Sequence, residues 1–237
     1  MANNKVINYV RGMVVCGLVT ISSQGKGAVL CRGDMSKGGT CSVTVANMHP
    51  AQFALGMIEV QNRAAKIAAM STHARNAYLA THIAPLVIGP GGTFYPTDRH
   101  HLARAMAIAH GESSTLNAVI QENWSHLSHA DFWAAMESAH YVYLFDEHGV
   151  GPMAPESLPE SILSMKNDPY RGLVWGVKEE GAIGDSDTPF YEFQWAQYFR
   201  GLIDESIVTS DFSAATAQAA ALARSPAASF LPGYVGN

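Results

Sequence analysis

The sequence has few cysteines, few charged residues and no long apolar run, and each shortage excludes a class of protein. Cysteine occurs only 3 times in 237 residues, at Cys16, Cys31 and Cys41, and no pair has the spacing of a zinc site. Charged residues make up 15% of the chain, and the net charge of −5 provides no general positive field for a polyanion. No apolar run approaches the roughly 18 residues of a transmembrane segment. The composition therefore disfavours a zinc fold, a transmembrane segment and duplex DNA binding.

The first 42 residues leave two questions open. The apolar run at 12–21 follows Lys5 and Arg11, as in the core of a signal peptide, but no cleavage motif follows it and a buried strand fits equally well. Cys31 and Cys41 flank a glycine-rich loop, where either free thiols or a disulfide can occur. We expect free thiols in a cytoplasmic protein, with an exported protein that carries the disulfide as the alternative.

The chain divides into three parts by the pattern of its elements. Residues 1–42 form an extension rich in short strands, 43–124 interleave short strands with helices, and 125–237 are mostly helical. The predicted strands of the middle part cover 41–48, 84–89, 93–97 and 117–123, and its helices cover 57–71, 72–82 and a segment from 98 onward. The predicted helices of the last part cover 128–140, 156–165, 188–203 and 211–225. This pattern predicts an α+β domain followed by a helical subdomain that covers the site.

The segment PTDRHHLARAM, residues 96–106, carries the strongest functional signal. Its apolar positions follow helical spacing, so Thr97 or Asp98 is the predicted N-cap. Three basic residues then occupy the first turn: Arg99, His100 and His101. Basic side chains are unfavourable beside the positive end of a helix dipole unless an anion binds there. The pattern predicts a phosphate or carboxylate site at this helix start, with exposed polar residues as the alternative.

The two adjacent histidines disfavour a metal site, because their side chains lie about 100° apart around the helix. His101 and Arg104 are three residues apart and can share one ligand. We therefore expect His101→Ala and Arg104→Ala to abolish ligand binding without unfolding the protein. His100→Ala should have a smaller effect if its ring points away from the site.

Weaker candidates lie elsewhere in the chain. Glu59 and Lys66 share one face of the predicted helix 57–71, where a solvated ion pair is the alternative. Gln52 lies in the loop before that helix and is equally a plain turn residue. The consecutive Asp-Glu-His at 146–148 suits a metal or acid–base cluster, but its position before glycine favours a polar turn.

Longer segments resemble the ParB/sulfiredoxin superfamily, and most closely its branch of ParB-like nucleases. The stretch VTVANMHPAQFALGM leads to APLVIGPGGTFYPTDRHHLARAM, in which D-x-H-H-L-x-R-A stands where ParB has G-E-x-R-R-x-x-A and sulfiredoxin has G-x-H-R. Four later segments are similar to the branch's C-terminal signatures: SHLSHADFWAAM, DPYRGLVWGV, DTPFYEFQWAQYFR and ARSPAASFLPGY. The resemblance covers residues 43–237 and implies a ParB/sulfiredoxin-like small mixed sheet with helices.

The resemblance also implies a nucleotide-phosphate site at the start of the histidine-containing helix. Superfamily members include CTP-hydrolysing partition proteins, an ATP-dependent sulfinic-acid reductase, a kinase of free serine and reported nucleases. The residues that correspond to the phosphate-contacting segment are Asp98, Arg99, His100, His101 and Arg104, and Gln52, Glu59 and Lys66 flank the pocket. The chain departs from ParB in its missing Arg-Arg run and from sulfiredoxin in its missing catalytic cysteine. With no recognisable helix-turn-helix and no basic surface, both of those activities are disfavoured.

The leading hypothesis is an enzyme that binds a nucleotide or phosphorylated ligand and transfers or hydrolyses a phosphoryl group, with Mg²⁺ as cofactor. Arg99 or Arg104 would hold the phosphate, His100 or His101 would transfer a proton, and Glu59 is the alternative base or metal ligand. A nuclease is the case in which the phosphate is a diester. The alternatives are a non-catalytic nucleotide- or anion-binding module and an enzyme that acts on an unrelated small metabolite.

Overall fold

The strands in the described part of the chain form one mixed sheet and one short parallel pair. The computed structural model describes residues 29–236. The strands are β1 (Thr40–Thr44), β2 (Ala54–Leu55), β3 (Ala84–Ile88), β4 (Phe94–Pro96), β5 (Thr115–Asn123) and β6 (Lys166–Asn167). The sheet order is β1-β5-β3-β4, with β3 and β5 parallel and both outer strands antiparallel to their neighbours. β2 pairs with β6 in parallel and ties the helical part of the chain to the first half.

The α-helices pack on the sheet in the first half of the chain and against one another in the second. They are α1 (Met57–Ala68), α2 (Thr72–Thr81), α3 (His100–His110), α4 (His129–Ser138), α5 (Pro169–Glu179), α6 (Tyr191–Arg200), α7 (Glu205–Ser210) and α8 (Phe212–Arg224). Several begin where a Ser or Asp side chain accepts a backbone N–H: Ser71, Ser128, Asp168, Asp204 and Asp211. The fold is α+β with a small mixed sheet, as the sequence pattern and the resemblance predict.

Two main cores hold these elements in place. The first lies between the sheet and helices α1 and α3, with Val60, Leu86 and Leu102 fully enclosed. The second lies among α5, α6 and α8, around Trp195 and Phe199. A smaller cluster of aromatic residues joins α4 to the sheet. Because α1 and α3 belong to one core and α5 and α6 to the other, a cleft between these two helix pairs lies where the cores meet.

The helix predicted at 156–165 is wrong. That segment contains only two one-turn 3₁₀ helices, Pro155–Ser157 and Ile162–Ser164. Pro159 lies between them, and a proline lacks an amide N–H and forces the preceding residue out of the helical region. Leu158 accordingly has an extended ψ of 145°. The apolar positions of this segment have helical spacing, but the proline prevents the helix that this spacing predicts.

The helix predicted at 188–203 begins later and ends earlier than expected. α6 starts at Tyr191 and ends at Arg200. α5 was not predicted as a helix at all, although Asp168 is its N-cap and Pro169 its first residue. The apolar run at 12–21 lies outside the described residues. Of the short strands predicted in residues 1–42, the described part shows the start of β1 and an isolated bridge between Leu30 and Ser42. Among residues 29–236 no helix combines the length and the hydropathy needed to cross a membrane.

The expectation of free thiols at Cys31 and Cys41 is wrong, because a disulfide joins them. Cys41 is buried in β1, and the bond closes the glycine-rich loop onto the sheet edge. The backbone N–H of Cys31 also donates to the carbonyl of Ser42, so the loop is already adjacent to the strand.

Alkylation of the denatured protein without reductant should therefore label one thiol, that of Cys16. Reduction before alkylation should expose two more, and it should lower the free energy of unfolding by about 3 kcal/mol for a loop of this length. Intact mass and a urea titration with and without reductant measure both effects. Three labelled thiols in the unreduced protein would contradict the bond.

Candidate functional site

The backbone turn into α3 leaves three amide groups without an acceptor among the described residues. Arg99 is the N-cap residue and has left-handed backbone angles, with φ 70°, so the predicted N-cap one or two residues earlier is wrong. Asp98 uses its carboxylate to accept the N–H of Arg99 at 2.6 Å instead of capping the helix interior. Within residues 29–236 the next three amides have no acceptor: those of His100, His101 and Leu102. Free amides at the positive end of a helix form an anion-binding arrangement.

The two adjacent histidines hold one loop at two points. Nε2 of His100 accepts the backbone N–H of Ala51 at 3.1 Å, and Nε2 of His101 accepts that of Gly56 at 3.0 Å. The angular step between neighbouring helix residues lets the two rings reach opposite ends of the same loop. An Nε2 atom that accepts an N–H carries no proton, so each neutral ring is protonated at Nδ1.

Both histidines stay neutral near pH 7. Burial lowers the pKa of His100 to about 4, against the opposing charge of Asp98. Burial likewise lowers the pKa of His101 to about 3, although Glu59 lies 3.6 Å away. The geometry thus gives the rings a positioning role, and any proton transfer by them would have to pass through Nδ1. Since removal of either ring leaves a buried N–H unpaired, we now expect His101→Ala to destabilise the protein.

Glu59 is buried and fully engaged by cations. Its two carboxylate oxygens lie 2.9 Å from Arg63 Nη2 and 3.3 Å from Arg171 Nη1. Burial alone would raise the pKa of Glu59, but the positive charges of His101 when protonated, Arg171 and Arg63 lower it to about 2. A carboxylate this acidic is a weak proton acceptor, and its two contacts let Glu59 position the guanidinium groups of Arg63 and Arg171.

A cleft with two lobes lies between α1 and α3 on one side and α5 and α6 on the other. The lobes share five residues: Asp98, His101, Arg171, Lys178 and Glu192. The first lobe, about 340 Å³, adds Arg63, Arg99, Leu102 and Trp175. The second lobe, about 430 Å³, adds Gln52, His100, His140, Thr188 and Phe190. These volumes fit a small ligand.

The helical part of the chain supplies Arg171 and Lys178 to this cleft. Arg171 follows the N-cap Asp168, whose carboxylate accepts the amide of Arg171 and pairs with Arg200 at 2.9 Å. Lys178 contacts the hydroxyl of Tyr191 and lies 3.5 Å from Glu192. Burial opposes ionisation of Lys178, but Tyr191, Glu192 and Asp185 together raise its pKa, so the amine stays charged.

A contact between two glycines lets α5 approach the loop held by the histidines. A Cβ atom added to Gly56 would lie 2.7 Å from the Cα of Gly172, closer than real Cβ atoms come to any neighbour. Gly172 is adjacent to Arg171, and Gly56 donates to His101. The close backbone approach therefore brings Arg171 within reach of Glu59 on α1.

Backbone strain is concentrated in this cleft. In the described part of the chain only three non-glycine residues have positive φ: Arg99, His140 and Phe190. Each lines one of the lobes, although each belongs to a different segment. Left-handed backbone at a non-glycine residue costs of order 1–3 kcal/mol, and such residues tend to cluster at functional sites. The coincidence makes the cleft the candidate functional site.

Most of the predicted site residues lie in this cleft, but not all. Asp98, Arg99, His100, His101, Glu59 and Gln52 line it. Gln52 is also tied down, because its side-chain amide donates to the carbonyl of Ala54 at 2.7 Å. Lys66 lines a smaller side pocket of about 190 Å³ next to Glu59. Arg104 lines neither lobe, and its guanidinium donates to the carbonyl of Ile162 at 3.3 Å. We therefore no longer expect Arg104→Ala to abolish binding.

The segment 146–148 forms a polar turn. Asp146 accepts the backbone N–H groups of His148 and Val150 at 2.9 and 2.8 Å, which closes the turn. Among residues 29–236 no three His, Cys, Asp or Glu side chains are grouped so that they could hold a metal ion. The alternative of a metal cluster at 146–148 is therefore unsupported.

Three cations of the cleft were missed from the sequence. Arg171 and Lys178 occur in an otherwise apolar helical segment, and a charge within such a segment was the available signal. Arg63 lies four residues after Glu59, where an ion pair on one helix face is expected. No local pattern shows that all three converge, because Arg171 meets Glu59 across 112 residues of sequence.

Comparison with known proteins defines the class. The family described as "Putative ParB-like nuclease" matches residues 41–201, and the chain belongs to this family. The solved structure described as "Crystal structure of protein Atu1540 from Agrobacterium tumefaciens" is similar, with a TM-score of 0.76 and 29% sequence identity. The alignment covers 84% of this chain and 99% of that one. The comparison with curated proteins finds no match.

Proposed function

We propose that the chain is an enzyme that binds a small phosphorylated ligand, a nucleotide, in this cleft and transfers or hydrolyses a phosphoryl group. The observation that carries the proposal is the set of three amides at the start of α3 that lack an acceptor among the described residues, next to Arg99, which lines the cleft. Arg171 and Lys178 approach the same space from α5. Backbone amides with guanidinium and ammonium groups are the usual protein ligands of phosphate.

The charges of the cleft favour a small ligand over duplex DNA. Carboxylates of Asp98, Glu179 and Glu192 line the first lobe together with its cations, and Asp185 and Asp187 border the second. The net charge of the whole chain is −5. A duplex with its dense phosphate charge would meet all of these carboxylates, whereas a single phosphate group at the amides and Arg99 would lie beside Asp98, whose carboxylate is 3.6 Å from Nε of Arg99. The family description supports phosphodiester cleavage as one form of this reaction.

Each side chain would have a limited task in the reaction. The amides and Arg99 would hold the phosphoryl group, and Arg171 and Lys178 would neutralise charge that builds up on its oxygens. Asp98 and Glu192 line both lobes and are the carboxylates available to a Mg²⁺ ion that arrives with the phosphates. Bound Mg²⁺ would supply charge stabilisation.

Arg99→Gly tests the phosphate site directly. Glycine accepts the left-handed backbone of this position, so the variant removes the guanidinium without adding strain. We expect ATP to raise the melting temperature of the wild type. Loss of a charge-assisted hydrogen bond should weaken ATP binding about 10- to 100-fold in the variant. Thermal shift and titration calorimetry measure both effects.

Arg32→Gly is the matched control, because Arg32 is an exposed loop cation that lies in neither lobe. It makes the same change of charge and should bind ATP as the wild type does. Equal affinity for ATP in the wild type and both variants would show that the start of α3 does not bind the phosphates. Release of phosphate from ATP with Mg²⁺, or cleavage of bis(p-nitrophenyl) phosphate, would separate an enzyme from a binding module, which gives the thermal shift alone.

A further inference from the structure

His140 occupies a helix end that normally takes glycine. α4 ends at Ser138 with Ala139 as its C-cap, and His140 follows with a left-handed φ of 54°. The N–H of His140 donates to the carbonyl of Glu137 at 3.0 Å, and the N–H of Tyr141 donates to that of Met136 at 2.9 Å. These two bonds define a Schellman motif, in which the left-handed residue is usually glycine because a Cβ atom is unfavourable there.

The end of α5 repeats the motif with the expected residue. Gly181 has φ 65°, its N–H donates to the carbonyl of Lys178 at 2.9 Å, and the next N–H donates to that of Val177 at 3.1 Å. A Cβ atom added to Gly181 would meet nothing within 4 Å. The two helix ends therefore share the same backbone bonds, and the motif itself does not require histidine.

No structural role for the side chain of His140 is visible. The residue is exposed, and its ring makes no hydrogen bond and no aromatic contact with another described residue. It lines the second lobe of the cleft together with Thr188 and Phe190. Phe190 is itself one of the three strained residues. Glycine would be the less strained residue at this position, and the imidazole is what histidine adds to the lobe.

We infer that His140 contacts the organic part of the ligand and thereby selects a nucleotide over inorganic phosphate or pyrophosphate. This inference rests on the proposed function, which places the phosphate at α3 beside the first lobe. The second lobe joins the first through five shared residues, and the two lobes, of about 430 and 340 Å³, offer more room than a phosphate group alone fills. Within the second lobe, the imidazole of His140 can exchange hydrogen bonds with a planar ring, and the aromatic face of Phe190 can stack on it.

His140→Gly separates ligand contact from structure. Relief of the left-handed backbone should raise the melting temperature by roughly 2–4 °C. Loss of the imidazole should weaken ATP binding about tenfold, the equivalent of one good hydrogen bond. The affinity for inorganic pyrophosphate should not change, since both phosphates lie at α3. Calorimetric titration of the two ligands into the full-length chain gives the comparison.

Gly181→His is the mirror control. It should lower the melting temperature by a similar roughly 2–4 °C and leave both affinities unchanged. Wild-type ATP affinity in His140→Gly would overturn the inference, as would a lower melting temperature in that variant, because the ring would then be structural. An equal loss of pyrophosphate binding would also overturn it. If the wild type bound neither ligand, the proposed function itself would fail.

Discussion

Replacement of Arg171 by methionine is expected to lower the free energy of unfolding by about 3 kcal/mol and to abolish ligand binding. Arg171 is 8% exposed, and its guanidinium contacts Glu59 and lies 5.8 Å from the ring centre of Phe193. Removing one partner of a buried pair leaves the other charge poorly compensated, which costs about 3–5 kcal/mol. Arg63 still pairs with Glu59, so the lower end of that range applies.

A double-mutant cycle with Glu59→Gln identifies the cause of this loss. Once the carboxylate is neutral, Arg171→Met no longer leaves a buried negative charge without this partner. Arg171→Met should therefore lower the free energy of unfolding by less in the Glu59→Gln variant than in the wild type. Urea titrations at pH 7 of the two single variants and the double variant measure the coupling. Arg32→Met breaks an exposed pair with Asp34 and should cost below about 1 kcal/mol. A similarly small loss for Arg171→Met would show that the pair behaves as if it were in solvent.

Acidification should destabilise the protein steeply between pH 6.5 and pH 4. His100 and His101 are neutral in the folded state, with pKa values of about 4 and about 3, while the ordinary pKa of the unfolded residues is 6.5. Between these values the unfolded state binds more protons, so stability falls as pH falls. Each histidine contributes a slope of up to about 1.4 kcal/mol per pH unit, and this stability is fully present only above pH 6.5.

Carboxylates modify the curve at its acid end. The pKa of Glu59 is lowered from 4.5 to about 2, so its stabilising contribution is present above pH 4.5 and is lost as pH falls towards 2. Burial raises the pKa of Asp168 above its ordinary value of 3.8, despite the opposing charge of Arg200. As pH falls, folded Asp168 therefore binds a proton before unfolded Asp168 does, which opposes the loss of stability due to Glu59. The histidines therefore dominate between pH 6.5 and 4.5, and Glu59 adds to the loss below that.

Glutamine variants test the assignment of this slope. Gln can accept a backbone N–H but does not titrate, so His100→Gln and His101→Gln should each flatten the dependence of stability on pH above pH 4.5. His73→Gln, at an exposed position on α2, should leave the slope unchanged. Urea titrations at intervals between pH 7.5 and 4.5 give the comparison. A slope that is the same in all four proteins would mean that neither buried ring is neutral in the folded state.

The sequence allowed the fold class and most elements of the sheet domain to be predicted, because their signals are local. The apolar spacing of α1 and α3 and the alternation in β1 and β5 each lie within a dozen residues. The two wrong predictions for helices each disregarded a local signal. Pro159 interrupts the helix predicted at 156–165, and Asp168 with Pro169 marks the start of α5.

The candidate site was located from the sequence, but its chemistry was not. His100 and His101 were read as ligand groups because they lie in a first helical turn, and no local pattern shows that Ala51 and Gly56 donate to them. The same limit applies to Arg171 and Glu59, which meet only after the two cores have formed. The left-handed backbone of Arg99 also could not be predicted from a local pattern, because it depends on how the chain passes from the end of β4 to the start of α3.

The contact of Gly56 with Gly172 sets the width of the cleft by backbone rather than by side chains. Two main chains in direct contact cannot move closer, and the loop on one side is anchored by two imidazole rings. The two sides of the cleft near Arg171 therefore cannot approach each other more closely when a small ligand binds. Affinity should then depend on whether the ligand is long enough to contact both sides. The ligand-free and ligand-bound proteins should have the same radius of gyration.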